Sequence, residues 1–141
     1  MAVIDPPIRT FMTAQPHSIH ANETVKRARD LMALHRIRHL PVMNLIKTDE
    51  VFGIISERDI NLICCIAEAN PAKLLVKNVC HAHPYVVSPD TPLREAAEVM
   101  VSQRYDAAIV VQGAKLVGMF TTVDACRALA SLLREREMET D

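Results

Sequence analysis

The sequence contains the same pattern twice. Residues 16–43 align with residues 84–111 at an offset of 68, and the segment that begins at Gly53 aligns with the segment that begins at Gly118 at an offset of 65. The first copy therefore has three extra residues. They fall within residues 44–50, because insertions are tolerated in loops. An internal repeat of this length indicates two copies of one structural unit.

Each copy predicts the same order of elements, β-α-β-β-α. In the first copy a short extended segment precedes a helix, whose apolar residues Val25, Ala28 and Met32 recur with the period of an α-helix. Two strands joined by a turn and then a second helix follow. The strands and the start of the second helix are predicted at 40–43, 51–55 and Asp59 in the first copy, and at 107–111, 116–120 and Asp124 in the second.

A unit of this size cannot bury one face of its sheet alone, so we expect the two copies to pack sheet against sheet with pseudo-twofold symmetry. The predicted fold class is α/β, of the α+β kind. The predicted boundaries are 8–67 for repeat 1, 68–78 for a linker, 79–130 for repeat 2 and 131–141 for a C-terminal helical tail. Charged residues dominate that tail, which is typical of a solvated helix end.

Composition excludes several classes of protein. Sixteen basic residues against seventeen acidic ones leave a net charge of −1, so neither nucleic acid nor an anionic membrane is an expected partner. The three glycines lie too far apart for a dinucleotide-binding or Walker-type loop. The four cysteines lack CxxC spacing, the N-terminus lacks a signal-peptide apolar region, and no apolar segment approaches the roughly 20 residues that span a bilayer. We therefore expect a cytoplasmic protein with reduced cysteines.

Three motifs occur in order in the first copy: a Met-Thr pair, a His-Leu-Pro-Val strand and a Gly-x-x-Ser-x-x-Asp turn. The second copy keeps the turn, but Cys80-His81 stands in place of Met-Thr, and Ile109 stands in place of Pro41. These motifs resemble those of the cystathionine-β-synthase (CBS) domain, and the tandem resembles a Bateman module, over about residues 8–130. The residues that carry the resemblance are Met12, Thr13, His39, Leu40, Pro41, Val42, Gly53, Ser56 and Asp59, and Gly118, Thr121 and Asp124.

The resemblance implies a regulatory module that binds adenosine-containing ligands in clefts between the paired repeats and has no catalytic residues. It implies AMP, ADP or ATP as the ligand, with S-adenosylmethionine as the alternative, and neither a required cofactor nor a metal. By the same resemblance, Asp59 and Asp124 accept hydrogen bonds from ribose hydroxyls, with Ser56 and Thr121 assisting. A carboxylate can accept two such bonds from a vicinal diol. An aspartate at a helix start is most often a cap, but its recurrence in both copies favours the ribose role.

The other candidate ligand-binding residues lie on the predicted strands or beside them. The resemblance implies that apolar strand residues sandwich adenine; Arg38, His39 and Arg58 fit either a phosphate contact or a solvent-facing role. The remaining candidates are Thr13, Ile19, Ile37, Leu40 and Pro41, and in the second copy Val87, Tyr105, Ala107 and Ala108. Asp106 occupies the position that Arg38 has in the first copy, and a carboxylate there repels phosphate. We therefore expect two unequal clefts.

Three alternatives remain open from the sequence. The segment Cys80-His81-Ala82-His83 offers zinc ligands, but it lacks an evident fourth ligand, and a structural or exposed role is favoured. A structural or interaction module with vestigial clefts is the alternative function, whereas an enzyme is disfavoured because no catalytic motif such as GxSxG or HExxH occurs.

The resemblance also implies an unidentified regulated protein and a homodimer that packs through its helices. The apolar segment 60–66 fits that dimer, although burial within one module explains it equally well.

Overall fold

The computed structural model describes residues 5–44, 46, 50–66 and 68–139, and its elements follow the predicted order. They are β1 (Thr13–Ala14), β2 (Ile19–His20), α1 (Val25–His35), β3 (His39–Met43), β4 (Val51–Ser56), α2 (Glu57–Ile66), β5 (Val86–Val87), α3 (Leu93–Gln103), β6 (Ala107–Gln112), β7 (Lys115–Thr121) and α4 (Thr122–Glu139), with 3₁₀ turns at Ile8–Thr10 and Val76–Asn78. Within these residues, two sheets and four helices confirm the mixed α/β fold class. Most of the predicted insertion and the last two residues of the predicted tail lie outside the described residues.

The chain divides into two compact units. The first unit comprises Pro16–Pro84 and Gly113–Leu116, and the second comprises the described residues up to Gln15, Tyr85–Gln112 and the described residues from Val117 onward. The sheet of the first unit has the order β2-β3-β4, with β2 parallel and β4 antiparallel to β3. The other sheet has the order β1-β7-β6-β5, with β1 antiparallel to β7 and β5 parallel to β6. Among the described helices, none is both long enough and apolar enough to cross a membrane.

The segment that precedes the first copy belongs to the second unit. Ile8 is fully buried and is part of the same hydrophobic core as Phe120 and Ala128. Its backbone N–H donates to the carbonyl of Thr91 at 2.8 Å, and the N–H of Leu93 donates to the carbonyl of Pro6 at 2.8 Å. These contacts hold the leading segment of the chain beside α3 and α4 of the second copy.

The segment that precedes the second copy belongs, in turn, to the first unit. Val76 is fully buried in the core that contains Leu40 and Ile60. Its N–H donates to the carbonyl of Glu23 at 2.9 Å, and the following residues reach β4 through His81. The sequence repeats therefore give the order of elements along the chain, whereas each compact unit takes its leading segment from the opposite copy.

Equivalent arginines end the first helix of each copy. Arg36 follows α1 and Arg104 follows α3, and both have left-handed backbone conformations with φ of 55° and 59°. Their N–H groups donate to the carbonyls of Met32 and Met100, which satisfies acceptors that the helix end leaves open. This cap turns the chain back into the strand that carries several of the predicted ligand-binding residues.

Candidate functional site

The Gly-x-x-Ser-x-x-Asp turn of the first copy joins β4 to α2 without a loop. Ser56 ends β4, and Asp59 lies in the first turn of α2. The N–H of Ser56 donates to Asp59 Oδ2 at 3.1 Å, and the N–H of Asp59 donates to Ser56 Oγ at 3.0 Å. This reciprocal pair is a capping box, which satisfies two N–H groups at the helix start. Because the cap uses Oδ2, the second carboxylate oxygen of Asp59 points outside it.

His81 approaches that second oxygen. Its Nε2 lies 3.1 Å from Asp59 Oδ1. The imidazole side chain is 68% exposed, whereas the Asp59 side chain is 20% exposed. The backbone of His81 is fixed, since its N–H and C=O exchange hydrogen bonds of 2.9 and 3.0 Å with Ile54 in β4. An exposed imidazole on a fixed backbone therefore covers one oxygen of a half-buried carboxylate.

Glycines allow the leading segments to approach the turns. A Cβ atom added at Gly53 would collide with the carbonyl oxygen of His81. At Gly118, an added Cβ would lie 2.6 Å from Met12 Sδ and 3.1 Å from the carbonyl oxygen of Thr13. Both glycines thus permit a close backbone approach that a side chain would prevent.

The turn of the second copy has a buried carboxylate. Asp124 is 2% exposed. Its Oδ2 accepts hydrogen bonds from the N–H and the hydroxyl of Thr121 at 2.9 and 3.3 Å. Its Oδ1 accepts hydrogen bonds from the hydroxyl of Thr13 at 3.0 Å and from the Arg127 guanidinium at 2.9 Å. Both oxygens of Asp124 are therefore engaged within the second unit.

Thr13 and His81 occupy equivalent positions in the two units. They are 68 residues apart, which is the offset of the repeat, and each contacts the aspartate of a turn. From the sequence, Cys80-His81 is a departure from the Met-Thr motif; in the structure His81 replaces the threonine hydroxyl with an imidazole. The contact of His81 with Asp59 and that of Arg127 with Asp124 were not predicted from the sequence. The repeat offset was the available signal for His81, and the i, i+3 spacing from Asp124 was the signal for Arg127.

The first unit contains Ile19, Ile37, Arg38, His39, Leu40, Pro41, Ser56, Arg58 and Asp59 among the predicted site residues. His39 lies opposite Ser56 in the register of β3 and β4, and the carbonyl of Arg38 accepts a hydrogen bond from the N–H that begins α2. Arg38 and Arg58 are both exposed. The side chains of Ile19 and Leu40 are buried in the hydrophobic core, while that of Pro41 lies on the opposite face of β3 from Leu40.

The second unit contains Thr13, Val87, Tyr105, Ala107, Ala108, Thr121 and Asp124. Val87 and Ala108 are buried in its core, and Ala107 points to the opposite face of β6 from Ala108. Tyr105 stacks on Tyr85 with ring centroids 5.5 Å apart. Burial raises the pKa of the Tyr85 phenol, and the charges of Glu95 and Tyr105 raise it further. Thr13 and Thr121 both donate hydrogen bonds from their hydroxyls to Asp124.

The Cys80 thiol lies next to His81 in the segment that was weighed as a zinc site. Burial raises the pKa of Cys80, a backbone hydrogen bond lowers it, and the negative charge of Asp59 raises it. A thiol with a raised pKa stays protonated at neutral pH, and the protonated form is a poor metal ligand. In the part of the chain that the structure describes, no group of three or more His, Cys, Asp and Glu side chains is arranged to hold a metal ion.

The raised pKa of Cys80 predicts slow alkylation. At neutral pH iodoacetamide should modify Cys80 more slowly than the exposed Cys65 and Cys126, and the rate at Cys80 should still rise above pH 9.0, the ordinary thiol value. Asp59→Asn removes a charge that raises this pKa, so it should speed the reaction at neutral pH. Mass spectrometry of peptides from a pH series measures each site. Fastest labelling at Cys80 in neutral solution would contradict the prediction.

Comparison with known proteins agrees with the motifs. The family model of the CBS domain matches residues 8–62 and 76–131, which confirms the family predicted from the sequence. Inosine-5′-monophosphate dehydrogenase of Korarchaeum cryptofilum is 30% identical over 118 residues, which are 83% of this chain and 22% of that enzyme. The chain spans between 13% and 49% of the length of the curated relatives that match it.

Solved structures share the fold. The AcuB protein of Vibrio cholerae is 27% identical, with a TM-score of 0.84 over 96% of this chain and 98% of that one. CBSX2, solved in complex with AMP, is 23% identical with a TM-score of 0.75 over 90% and 98% of the two chains. The domain pair of MJ0100, solved with 5′-methylthioadenosine and S-adenosyl-L-methionine, is 20% identical with a TM-score of 0.81 over 91% and 98%.

Proposed function

The chain belongs to the CBS-domain family, and from this premise we propose that it is a regulatory module that binds an adenosine-containing ligand and has no catalytic activity of its own. AMP, ADP or ATP is the proposed ligand class, with S-adenosylmethionine as the alternative. Two proteins of the same fold support an adenosine ligand, since CBSX2 was solved with AMP and MJ0100 with two adenosyl compounds.

The observation that carries the proposal is the carboxylate of Asp59 at the start of α2. One oxygen takes part in the capping box, and the exposed ring of His81 contacts the other. A ribose with two neighbouring hydroxyls can donate to this carboxylate once the ring moves aside. Arg38 and Arg58 are exposed cations at the same end of the sheet, where they supply positive charge for a phosphate.

The two aspartates do not offer equal sites. Asp124 is almost fully buried and both of its oxygens accept hydrogen bonds, so a ribose would have to replace Thr13 or Arg127. The nearby Asp106 also disfavours a phosphate. We therefore assign the ligand first to Asp59 and Ser56, and the ribose role of Asp124 and Thr121 remains a prediction. Burial of Asp124 and the charge of Asp106 support unequal sites independently.

Isothermal titration of the purified chain tests this function. Adenosine, AMP, ADP, ATP and S-adenosylmethionine form the ligand panel, and 2′-deoxyadenosine removes one ribose hydroxyl. Asp59→Ala should weaken the best ligand about 100-fold, because two hydrogen bonds to a charged group are together worth about 3 kcal/mol. The 2′-deoxy compound should bind about tenfold more weakly than adenosine.

A matched control separates the ribose contact from a general loss of charge. Asp30 is an exposed aspartate on α1 that pairs with Lys26, and Asp30→Ala should leave the affinity unchanged. Circular dichroism verifies that Asp59→Ala is folded under the titration conditions. Absence of binding by every adenosine compound to the unaltered chain would refute the proposed function, and equal affinity of Asp59→Ala would refute the assignment to Asp59.

An interaction module with vestigial clefts is the second candidate function. The full occupancy of Asp124 favours it for the second copy. Exposed leucines on α2 and α4 also favour a protein contact, among them Leu62 and Leu129, each more than half exposed. The homodimer implied by the family resemblance would use these same helices. Release of an adenosine compound from the purified protein on denaturation, detected by mass spectrometry, would decide for the ligand-binding function.

A further inference from the structure

The imidazole of His81 contacts the carboxylate oxygen of Asp59 to which the proposed ribose would bind. Nε2 is 3.1 Å from Asp59 Oδ1, and the other oxygen of the carboxylate is engaged by the N–H of Ser56. A ribose diol that binds Asp59 must therefore displace the imidazole or share the carboxylate with it. The ring is 68% exposed on a backbone fixed to β4, so it can swing into solvent without unpairing the strand.

The equivalent contact in the second unit cannot respond to pH in this way. There Thr13 donates a hydroxyl to Asp124, and a hydroxyl does not titrate near neutrality. Histidine is the side chain that changes charge between about pH 5 and about pH 8. As an imidazolium, His81 donates a charge-assisted hydrogen bond to the carboxylate; as a neutral ring it makes a weaker one. At the same position of the repeat, the aspartate of the first unit therefore contacts a histidine, and the aspartate of the second unit contacts a threonine.

We propose that His81 competes with the ligand for Asp59, so that affinity for a ribose rises with pH as the imidazole loses its proton. This inference rests on the proposed function of the Asp59 site. Protonation strengthens the bond that the ligand must break, and deprotonation weakens it. His81 is therefore a positioning and gating residue for this site, and low pH closes the site.

The titratable and charged groups around His81 come from its own segment, from the first turn of α2 and from β3. Its own segment carries Cys80, whose thiol is protonated at neutral pH, and the exposed His83. Lys77 precedes that segment, and the first turn of α2 adds Glu57 and Arg58 to Asp59. β4 contributes Gly53 and Ile54, which carry no charge, and His39 at the start of β3 lies opposite Ser56. Histidine is the residue type among these that ordinarily changes charge near neutral pH, so His83 provides the matched control.

Adenosine titrations at about pH 5.5 and about pH 8 test the proposal. Adenosine is the probe because it has no phosphate, whose own ionisation near pH 6 would add a second pH dependence. The unaltered chain should bind adenosine about tenfold more tightly at the higher pH. His81→Gln keeps an N–H donor near the position of Nε2 but does not titrate, so its affinity should be the same at both pH values. His81→Ala removes the competitor and should bind at the lower pH at least as tightly as the unaltered chain does at the higher pH.

His83→Gln should retain the full pH dependence of the unaltered chain. A pH dependence that persists in His81→Gln, or one that disappears in His83→Gln, overturns the assignment to His81. If adenosine binds the unaltered chain with the same affinity at both pH values, the competition by His81 is refuted, whereas the proposed function is not. If adenosine, AMP and the other adenosine compounds bind none of these proteins at either pH, the proposed function falls and the gate falls with it.

Discussion

Replacing Asp124 with alanine should lower the free energy of unfolding by about 3 kcal/mol, whereas Asp59→Ala should lower it by about 1 kcal/mol. The two residues occupy the same position of the repeat, but Asp124 is 2% exposed and accepts hydrogen bonds from Thr13, Thr121 and Arg127. Its loss removes the acceptor of the N–H and hydroxyl of the half-buried Thr121 and of the hydroxyl of Thr13. Asp59 makes a cap and one contact with an exposed ring, which are worth less.

Urea unfolding of the two variants measures this difference. A loss of stability should appear as a lower midpoint with an unchanged dependence on denaturant concentration. Arg127 is 62% exposed, so its ion pair with Asp124 adds little, and Arg127→Ala should cost less than about 1 kcal/mol. Equal losses for Asp59→Ala and Asp124→Ala would show that the buried carboxylate has no special structural role.

Gly53→Ala should destabilise the chain by about 3 kcal/mol. The new Cβ would collide with the carbonyl oxygen of His81, so the segment would have to leave β4 and give up its two hydrogen bonds with Ile54. Because the same segment holds His81 beside Asp59, the pH dependence of adenosine binding should disappear as well.

Two other glycines provide the controls for this substitution. Gly118→Ala should cost less, because the nearest atom is the sulfur of the flexible Met12 side chain, and the nearest backbone atom, the carbonyl oxygen of Thr13, is 3.1 Å from the new Cβ. Gly113 has a φ of +64° and open space around it, so Gly113→Ala should cost about 1 kcal/mol from backbone strain alone. Thermal unfolding gives the ranking, and a Gly53→Ala variant no less stable than Gly113→Ala would refute the close-approach explanation.

The elements of the fold were predictable from the sequence because each one occurs in both copies of the repeat, so two segments predict it. Apolar spacing at Val25, Ala28 and Met32 predicted α1, and the same residues are buried there. The change of offset before Val51 predicted a turn between two strands, and β3 and β4 lie on either side of it. Apolar spacing within one element and the alignment of the two copies determine these features. Both can be read directly from the sequence.

The pairing of segments with units was not predictable in the same way. An alignment shows that Thr13 and His81 are equivalent, but it does not show which aspartate each one contacts. Those contacts join residues 111 and 22 positions apart. The burial of Asp124 also depends on which leading segment covers it. Side-chain type misled at His81, because an imidazole and a hydroxyl share only the ability to donate a hydrogen bond to a carboxylate.

The regrouping of the leading segments has a consequence during synthesis on the ribosome. Ile8 belongs to a core whose other members run from Val87 to Ala128, so its partners emerge 79 to 120 residues later. At translation rates of about 5–20 residues per second, that delay is roughly 4–24 s. Throughout this interval the apolar side chains of Ile8, Phe11 and Met12 have no native core to join, and they are available to chaperones before they can pack in the folded unit.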